Sequence, residues 1–284
     1  ISEGRKELFE GLYIYDKIKW ERHPVIHLDF SAIQYSEGAQ IFKESLNRFF
    51  NYTADTYGIS LPEVVYKESF AILIRTLSEK NKVVILIDEY DKPIIDFVDN
   101  IKKAKINRDV LKELYSTLKP LDPYIHFAFI TGVRKFSRVS IFSGLNNLRD
   151  ITLADEYSTI TGITKEELEK YFTEHIAHTA SAMNITSESL LEKIQRWYNG
   201  YSWDGKTRVY NPNSLLYFFT EKQFDNYWFS TGTPTFLIKL IRKNQYPVPS
   251  MERISAGNDV FGSYDIDNLE LKSLLFQTGY VLAC

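Results

Sequence analysis

The sequence predicts an α/β fold in which a parallel sheet with crossover helices is followed by a mostly helical region. Two observations lead to this prediction. Strand-like and helix-like segments alternate through the first half of the chain, and helical periodicity dominates from about Asp155 onward. The chain has 284 residues, of which 44% are hydrophobic. This composition supplies a sizeable core and excludes disorder, collagen and a coiled coil as the main architecture.

Three short apolar runs predict the strands of the sheet. Each run is too short for a helix and is long enough for a strand. The middle run is β-branched and uninterrupted, which is typical of a strand covered on both faces. In chain order the predicted strands are Val25–Phe30, Val83–Ile87 and Tyr124–Ile130.

Apolar side chains at helical spacing fill the segments between these strands. Ser60 and Glu63 have the spacing of a capping box, so we expect a helix to open at Ser60 with Pro62 in its first turn. The other helices predicted in the first half cover 38–57 and about 109–118.

The second half predicts helices and one hairpin. A capping box opens a helix at Thr164, and Asn199-Gly200 suits a left-handed cap at the end of the next one. Asp204-Gly205 favours a hairpin turn. Further helices are predicted to start at Asn211-Pro212 and Thr233-Pro234.

The class of structure changes near Ser158 without a flexible linker. We therefore expect an α/β domain over 1–157 and a mostly helical, winged-helix-like region over 158–284. Lys and Arg number 34 against 37 Asp and Glu, and this balance argues against a surface that clamps nucleic acid everywhere. The chain has no apolar run of bilayer length and no signal-peptide core, so we expect a cytoplasmic protein without a membrane partner. Its one cysteine, Cys284, cannot form an internal disulfide.

The sharpest signal for chemistry is a strand-like run that ends in two adjacent carboxylates, Val83–Pro93 (VVILIDEYDKP). Open α/β sheets bind ligands outside the carboxyl ends of their strands, which is where Asp88 and Glu89 are expected. In a nucleotide hydrolase Asp88 would hold Mg²⁺ through water and Glu89 would polarise the attacking water. The alternative is a buried strand followed by an ordinary acidic turn, with Asp91 capping the next helix.

A basic turn follows the next predicted strand. If that strand lies beside the one with the two carboxylates, Thr131 faces the same crevice, where its hydroxyl would orient a water or contact a terminal phosphate. Arg134, Lys135 and Arg138 would then supply positive charge at the rim. A solvated basic turn is the alternative interpretation.

Several strings of this sequence resemble the predicted AAA-ATPase (AAA-ATPase-like) proteins, a mainly prokaryotic group within the P-loop NTPases. The resemblance implies a P-loop NTPase sheet followed by a mostly helical region, with Asp88-Glu89 as the Walker B pair and Thr131 near the sensor position. It also implies Mg²⁺ and ATP as ligands. Many relatives carry a PD-(D/E)XK nuclease-like domain downstream. The matching strings span nearly the whole chain in order: Lys6–Leu12 (KELFEGL), Pro24–Ser31 (PVIHLDFS), Leu86–Pro93 (LIDEYDKP), Phe129–Asp150 (FITGVRKFSRVSIFSGLNNLRD), Trp197–Tyr201 (WYNGY) and Tyr227–Leu237 (YWFSTGTPTFL).

The chain departs from the family pattern at the phosphate loop. It contains no G-x-x-x-x-G-K-[ST] string, although the family's glycine-lysine-serine loop normally lies shortly before the KELFEGL segment. Such a loop supplies backbone N–H groups and a lysine to the phosphates and a hydroxyl to Mg²⁺. We therefore expect a chain truncated before its loop and the preceding strand, and inactive by itself as an ATPase.

Two functions follow as hypotheses. The first is Mg²⁺-dependent ATP hydrolysis that drives a conformational change, with a homo-oligomer as one arrangement. The second is a catalytically weak ATPase-like module that binds or regulates a nucleic acid or protein partner. A nuclease built on Asp88, Asp91 and Lys92 is weaker, because the available carboxylate at another strand end, Asp29, has no supporting context. Asp29 and Ser31, at the end of the first predicted strand, are weaker candidates for the crevice.

Overall fold

The computed structural model describes residues 1–132, 141, 142, 145 and 147–227. Contacts divide this part of the chain into two compact units, Ile1–Leu148 and a second unit that begins at Arg149. Each unit has its own strands and its own apolar core. The described residues form a mixed α/β structure, which confirms the predicted fold class.

A three-stranded parallel sheet forms the centre of the first unit. Its strands are β1 (Val25–Asp29), β2 (Val83–Asp88) and β3 (Ile125–Ile130), in the order β1-β2-β3. All three predicted strands are therefore confirmed to within a residue or two at their ends. Asp29 pairs with Asp88, and Ile87 pairs with Ile130, so the three strands finish at one carboxyl edge.

Strand burial differs from the middle of the sheet to its edges. The side chains of Val83, Val84, Ile85 and Ile87 on β2 are buried, as the β-branched run predicts. On the outer edge of β1, the Tyr57 hydroxyl accepts from the Val25 amide at 2.8 Å and donates to its carbonyl at 3.0 Å. Strand β3 pairs with no further strand among the described residues, and its outward side chains are partly exposed.

Helices cover the sheet of the first unit. The long helices α1 (Ala39–Thr56) and α2 (Tyr66–Ser78) pack through stacked rings of Phe50 and Phe70, whose centroids are 4.7 Å apart. The helix predicted to open at Ser60 begins later, at Tyr66, so that prediction is wrong. A tertiary contact accompanies the later start: Asn47 Nδ2 donates to the Val64 carbonyl at 3.1 Å, and Val65, the residue before the helix, is extended. The helices are α1 (Ala39–Thr56), α2 (Tyr66–Ser78), α3 (Lys92–Ile95) and α4 (Ile101–Ser116), with 3-10 turns at Lys6–Phe9, Tyr13–Asp16, Phe30–Ala32 and Lys119–Tyr124.

Four α-helices and a short antiparallel hairpin are the regular elements of the second unit within residues 149–227, the part of it that the structure describes. The capping box at Thr164 is confirmed, because Thr164 and Glu167 exchange both hydrogen bonds. Asn211 caps its helix by accepting from the Ser214 amide. Its elements are α5 (Lys165–Tyr171), α6 (Thr173–Ala182), α7 (Ser187–Tyr198), the antiparallel strands β4 (Asn199–Tyr201) and β5 (Val209–Tyr210), and α8 (Pro212–Glu221), preceded by a 3-10 turn at Asp155–Tyr157.

One predicted helix end in this unit is wrong. Asn199 is extended rather than left-handed, and it begins β4 directly after α7. The hairpin predicted around Asp204-Gly205 is confirmed, and its pairing with β5 explains why the chain turns into a strand at Asn199. The predicted helix at Thr233-Pro234 lies outside the described residues, and the winged-helix-like arrangement stays a prediction.

Within residues 149–227, apolar side chains from the helices and the hairpin of the second unit form a buried cluster. Leu168, Leu190, Ile194, Leu215 and Phe218 are fully buried in it. In the described part of the chain, no helix has both the length and the apolar character needed to cross a membrane.

Candidate functional site

The carboxyl edge of the sheet brings the predicted Walker B pair and Thr131 together. Pairing continues past the strand ends, since the Thr131 amide donates to the Ile87 carbonyl at 2.8 Å and the Tyr90 amide donates to the Thr131 carbonyl at 3.0 Å. The Thr131 hydroxyl donates to Asp88 Oδ1. Asp88 and Thr131, two of the predicted site residues, are therefore in direct contact.

The backbone reverses at Glu89. This residue has a φ of +51°, a left-handed conformation that costs a residue with a Cβ roughly 1–2 kcal/mol. The strain is supported on both sides, because the Glu89 amide donates to Asp88 Oδ1 at 2.9 Å and the Glu89 carbonyl accepts from the Lys92 amide at 3.0 Å. Strained backbone of this kind clusters at functional sites.

The Glu89 carboxylate is only partly satisfied. Its Oε2 atom is buried and has no hydrogen-bond partner among the described residues. The Lys92 ammonium lies 3.7 Å from it, which is close enough for an ion pair and too far for a hydrogen bond. A buried acceptor without a donor is costly, so this oxygen is suited to accept a hydrogen bond from a bound water.

Two residues that the sequence did not single out connect to this carboxylate through Lys92. Asp96 Oδ2 lies 3.9 Å from the Lys92 ammonium and accepts a hydrogen bond from the Tyr35 hydroxyl at 2.5 Å. Burial, followed by the bond to Asp96, raises the pKa of Tyr35 well above its usual range, so its hydroxyl stays a donor. Tyr35 and Asp96 are 61 residues apart, and no local pattern could have paired them.

Asp29, a weaker candidate, lies at the same edge in register with Asp88. Its side chain accepts from the Ser31 amide at 2.7 Å. The hydrogen bonds from the Ser31 side chain and backbone are the main reason that the pKa of Asp29 is lowered, with smaller electrostatic contributions from His27 and Lys92. Asp29 therefore caps a turn and adds negative charge to the edge.

A glycine after β3 allows the strand ends to approach closely. A Cβ added to Gly132 would lie 2.5 Å from Asp91 Oδ1 and 2.6 Å from the Tyr90 ring. Asp91 is fully buried, and its side chain makes no capping bond to α3. Asp91 therefore occupies the N-cap position of α3, as that alternative expects, but it caps the helix through its carbonyl, which accepts from the Ile94 and Ile95 amides, and its carboxylate lies against Gly132.

Arg134, Lys135 and Arg138 lie outside the described residues, and their predicted role stays a prediction. Arg149 belongs to the second unit, where it forms an ion pair with Glu156.

The residues at the edge fit a magnesium ion that is held mainly by water and phosphate. No group of three or more His, Cys, Asp or Glu in the described ranges could hold a metal by itself. Mg²⁺ in nucleotide sites keeps several waters and takes one or two protein carboxylates, and the exposed Asp88 can supply one.

Comparisons with known proteins agree with the sequence pattern. The family described as "Predicted AAA-ATPase" (AAA-ATPase-like) matches residues 1–142. The chain is 35% identical, over 98% of its length, to an "Uncharacterized protein in vnfD 5'region" of Azotobacter chroococcum mcd 1. It spans about half, 52%, of that curated relative. No solved structure matches the chain.

Proposed function

Since the chain belongs to the predicted AAA-ATPase family, we propose that its first unit is the hydrolytic part of a Mg²⁺-dependent ATPase whose nucleotide state drives a conformational change. The observation that carries the proposal is the contact between Thr131 and Asp88 beside the strained Glu89, at the carboxyl edge of a parallel sheet. Ligands of open α/β sheets bind at that edge.

Each residue of this edge has a separate role in the proposal. Asp88 holds the magnesium ion through water, and Thr131 keeps the Asp88 carboxylate in place through its hydroxyl. Glu89 accepts a hydrogen bond from the attacking water at its buried Oε2 atom and so orients and polarises it. When bound, Mg²⁺ would neutralise charge on the phosphates.

The phosphates also need a cradle that these 284 residues do not encode as a recognisable motif. We propose that another part of the full-length protein supplies the glycine-lysine-serine loop, and that Arg134 or Arg138 adds positive charge at the rim. Without such a loop, Asp88 and Glu89 alone form a poor ATP site, because phosphate binding relies on backbone N–H groups and a lysine.

The experiment compares Glu89→Gln and Asp88→Asn in the full-length protein. Glu89→Gln should keep ATP binding and lower turnover by about 10²-fold or more, since the amide is a poor base. Asp88→Asn should weaken ATP binding and raise the Mg²⁺ concentration required. Glu79→Gln and Asp55→Asn, at exposed positions away from the edge, are the matched controls.

The outcomes separate the two functions. If Glu89→Gln and Asp88→Asn have equal and small effects on ATP binding and turnover, the two residues form an ordinary acidic turn and the proposed function is wrong. Tight ATP binding by a wild-type protein that does not hydrolyse it would favour a regulatory module instead.

A further inference from the structure

We propose that Lys92 is a positioning residue that holds the Glu89 carboxylate in its working orientation, with Asp96 and Tyr35 holding Lys92 in turn. This inference rests on the proposed function of Glu89. It adds a residue from α3 to the strand-end groups that the sequence indicates.

The turn at the end of β2 creates the contact. Because Glu89 is left-handed and its carbonyl accepts from the Lys92 amide, the chain folds back and the two side chains meet across one turn. Lys92 is also the first residue of α3, so the base of its side chain is fixed by the helix. The approach of Lys92 to Glu89 therefore follows from the same backbone strain that aims Glu89.

The far end of Lys92 is held by a second carboxylate. Its ammonium lies 3.7 Å from Glu89 Oε2 and 3.9 Å from Asp96 Oδ2, so it sits between the two. Asp96 cannot swing freely, because the buried Tyr35 donates to the same Oδ2 atom. The Tyr35–Asp96–Lys92–Glu89 set therefore connects a loop after β1 to Glu89 at the carboxyl edge of the sheet.

The Lys92–Glu89 ion pair differs from an ordinary surface pair in the consequence of removing one partner. Exposed pairs contribute little, since water replaces either partner easily. Here the side chains of Lys92 and Glu89 are 36% and 41% exposed, yet the Glu89 Oε2 atom itself is buried. Without the ammonium, that oxygen would face the nearby Asp96 carboxylate with no compensating charge. We expect the Glu89 carboxylate to rotate toward solvent and to lose its alignment.

The test measures kcat and KM for ATP in the full-length protein with Lys92→Met, which keeps most of the side-chain length and removes the charge. We expect kcat to fall about 10-fold and KM to change less than about twofold, because Lys92 acts on the base rather than on ATP. Lys92→Arg should restore at least half of the wild-type kcat. Asp96→Asn should lower kcat about threefold, and Lys102→Met, on the exposed face of α4, is the matched control.

A double substitution identifies the route of the effect. In a Glu89→Gln background, Lys92→Met should lower kcat no further, since non-additivity is expected of residues that act through one another. Additive losses, or unchanged kcat in Lys92→Met, would overturn the positioning role while leaving the ATPase proposal intact. If Lys92→Met is poorly folded by thermal unfolding, an unchanged kcat in Asp96→Asn overturns it instead. A wild-type protein without ATPase activity overturns the proposed function first, and this role with it.

Discussion

The Thr131 hydroxyl donates a hydrogen bond to Asp88 Oδ1 and joins the ends of two neighbouring strands that are 43 residues apart in sequence. The same oxygen accepts from the Glu89 amide at 2.9 Å. One atom of Asp88 thus links the end of β3 to the backbone turn that aims Glu89. A substitution at Thr131 should therefore alter the side-chain position of both Asp88 and Glu89.

Thr131→Val keeps the shape of the side chain and removes this hydrogen bond. We expect the full-length protein to lose about 10-fold in kcat, or about 1.4 kcal/mol, because the Asp88 carboxylate is no longer fixed. A hydrogen bond to a charged group contributes about 1.5–3 kcal/mol to stability, so this expected loss is slightly below the lower end of that range. Steady-state ATP hydrolysis measures it. Thr117→Val, which loses only a bond to its own helix, should leave kcat unchanged.

The 284 residues alone should bind Mg-ATP weakly and hydrolyse it negligibly, because no segment with the phosphate-loop motif is among them. Isothermal titration calorimetry with Mg-ATP checks the binding. A dissociation constant near 1 μM, which corresponds to about −8 kcal/mol, would contradict this expectation and show that another segment forms the cradle.

The sequence predicted the strands of the sheet and the two acidic residues because both depend on local patterns. Val83–Ile87 is an uninterrupted apolar run, and its end at Ile87 predicts that Asp88 and Glu89 directly follow the strand. The pairing of parallel neighbours also places Thr131 beside Asp88 once the strand order is right. The strands and the acidic pair thus need only a few consecutive residues, whereas the position of Thr131 also needs the strand order.

The parts that the sequence did not predict depend on contacts between distant segments. The capping pattern at Ser60 does not open a helix, and Asn47 donates to the Val64 carbonyl shortly before the helix that begins at Tyr66. The Tyr35 hydroxyl reaches Asp96 from another segment, and neither residue stands in a recognisable motif. The left-handed φ of Glu89 was not predictable either, because glycine is the residue that normally indicates this conformation and the position holds a glutamate.

Gly132→Ala tests the close approach of the strand ends. The added Cβ would lie within 2.6 Å of Asp91 and Tyr90, so the backbone after β3 must move. We expect a loss of about 2 kcal/mol or more in unfolding free energy, typical of overpacking, and a lower kcat because Thr131 moves with it. Gly58→Ala is the contrast, since its φ of +69° is strained and nothing lies within 4 Å of the new Cβ.

Thermal unfolding and ATP hydrolysis separate these two glycine variants. Gly58→Ala should cost about 1 kcal/mol of stability and leave kcat unchanged. If Gly132→Ala behaves in the same way, the tight packing against Asp91 has no bearing on the site.

Arg134→Ala and Arg138→Ala test the proposed role of the basic turn. We expect one of them to lower kcat in the full-length protein with little loss of stability, because positioned arginine stabilises developing phosphate charge. Arg149→Ala should matter less, since Arg149 pairs with Glu156 in the second unit. If both variants keep the wild-type kcat, the basic turn has no role in ATP hydrolysis.

The hairpin of the second unit should depend on pH through Asp204. Partial burial alone would raise the pKa of Asp204, but hydrogen bonds from the Thr207 and Lys206 amides, at 2.7 and 2.8 Å, outweigh it and hold the pKa well below the usual range. A carboxyl group with a lowered pKa in the folded state stabilises it above the unfolded value of about 3.9, and this stabilisation is lost as the pH falls toward the folded pKa.

Asp204→Asn removes the charge and keeps the shape, so it isolates this contribution. Near neutral pH we expect faster hydrogen exchange at the Lys206 and Thr207 amides in the variant, by about 5-fold for a loss of about 1 kcal/mol. The difference from wild type should stay constant from about pH 6 to about pH 4 and shrink as the pH is lowered further, because the stabilisation by the carboxylate is lost only below its unfolded pKa of about 3.9. Exchange rates are compared at each pH, so the intrinsic pH dependence cancels. Asp55→Asn, at an exposed helix end, is the control and should leave hydrogen exchange at both amides unchanged. If the difference in exchange between Asp204→Asn and wild type does not depend on pH, the shape of the side chain rather than the Asp204 charge stabilises the hairpin.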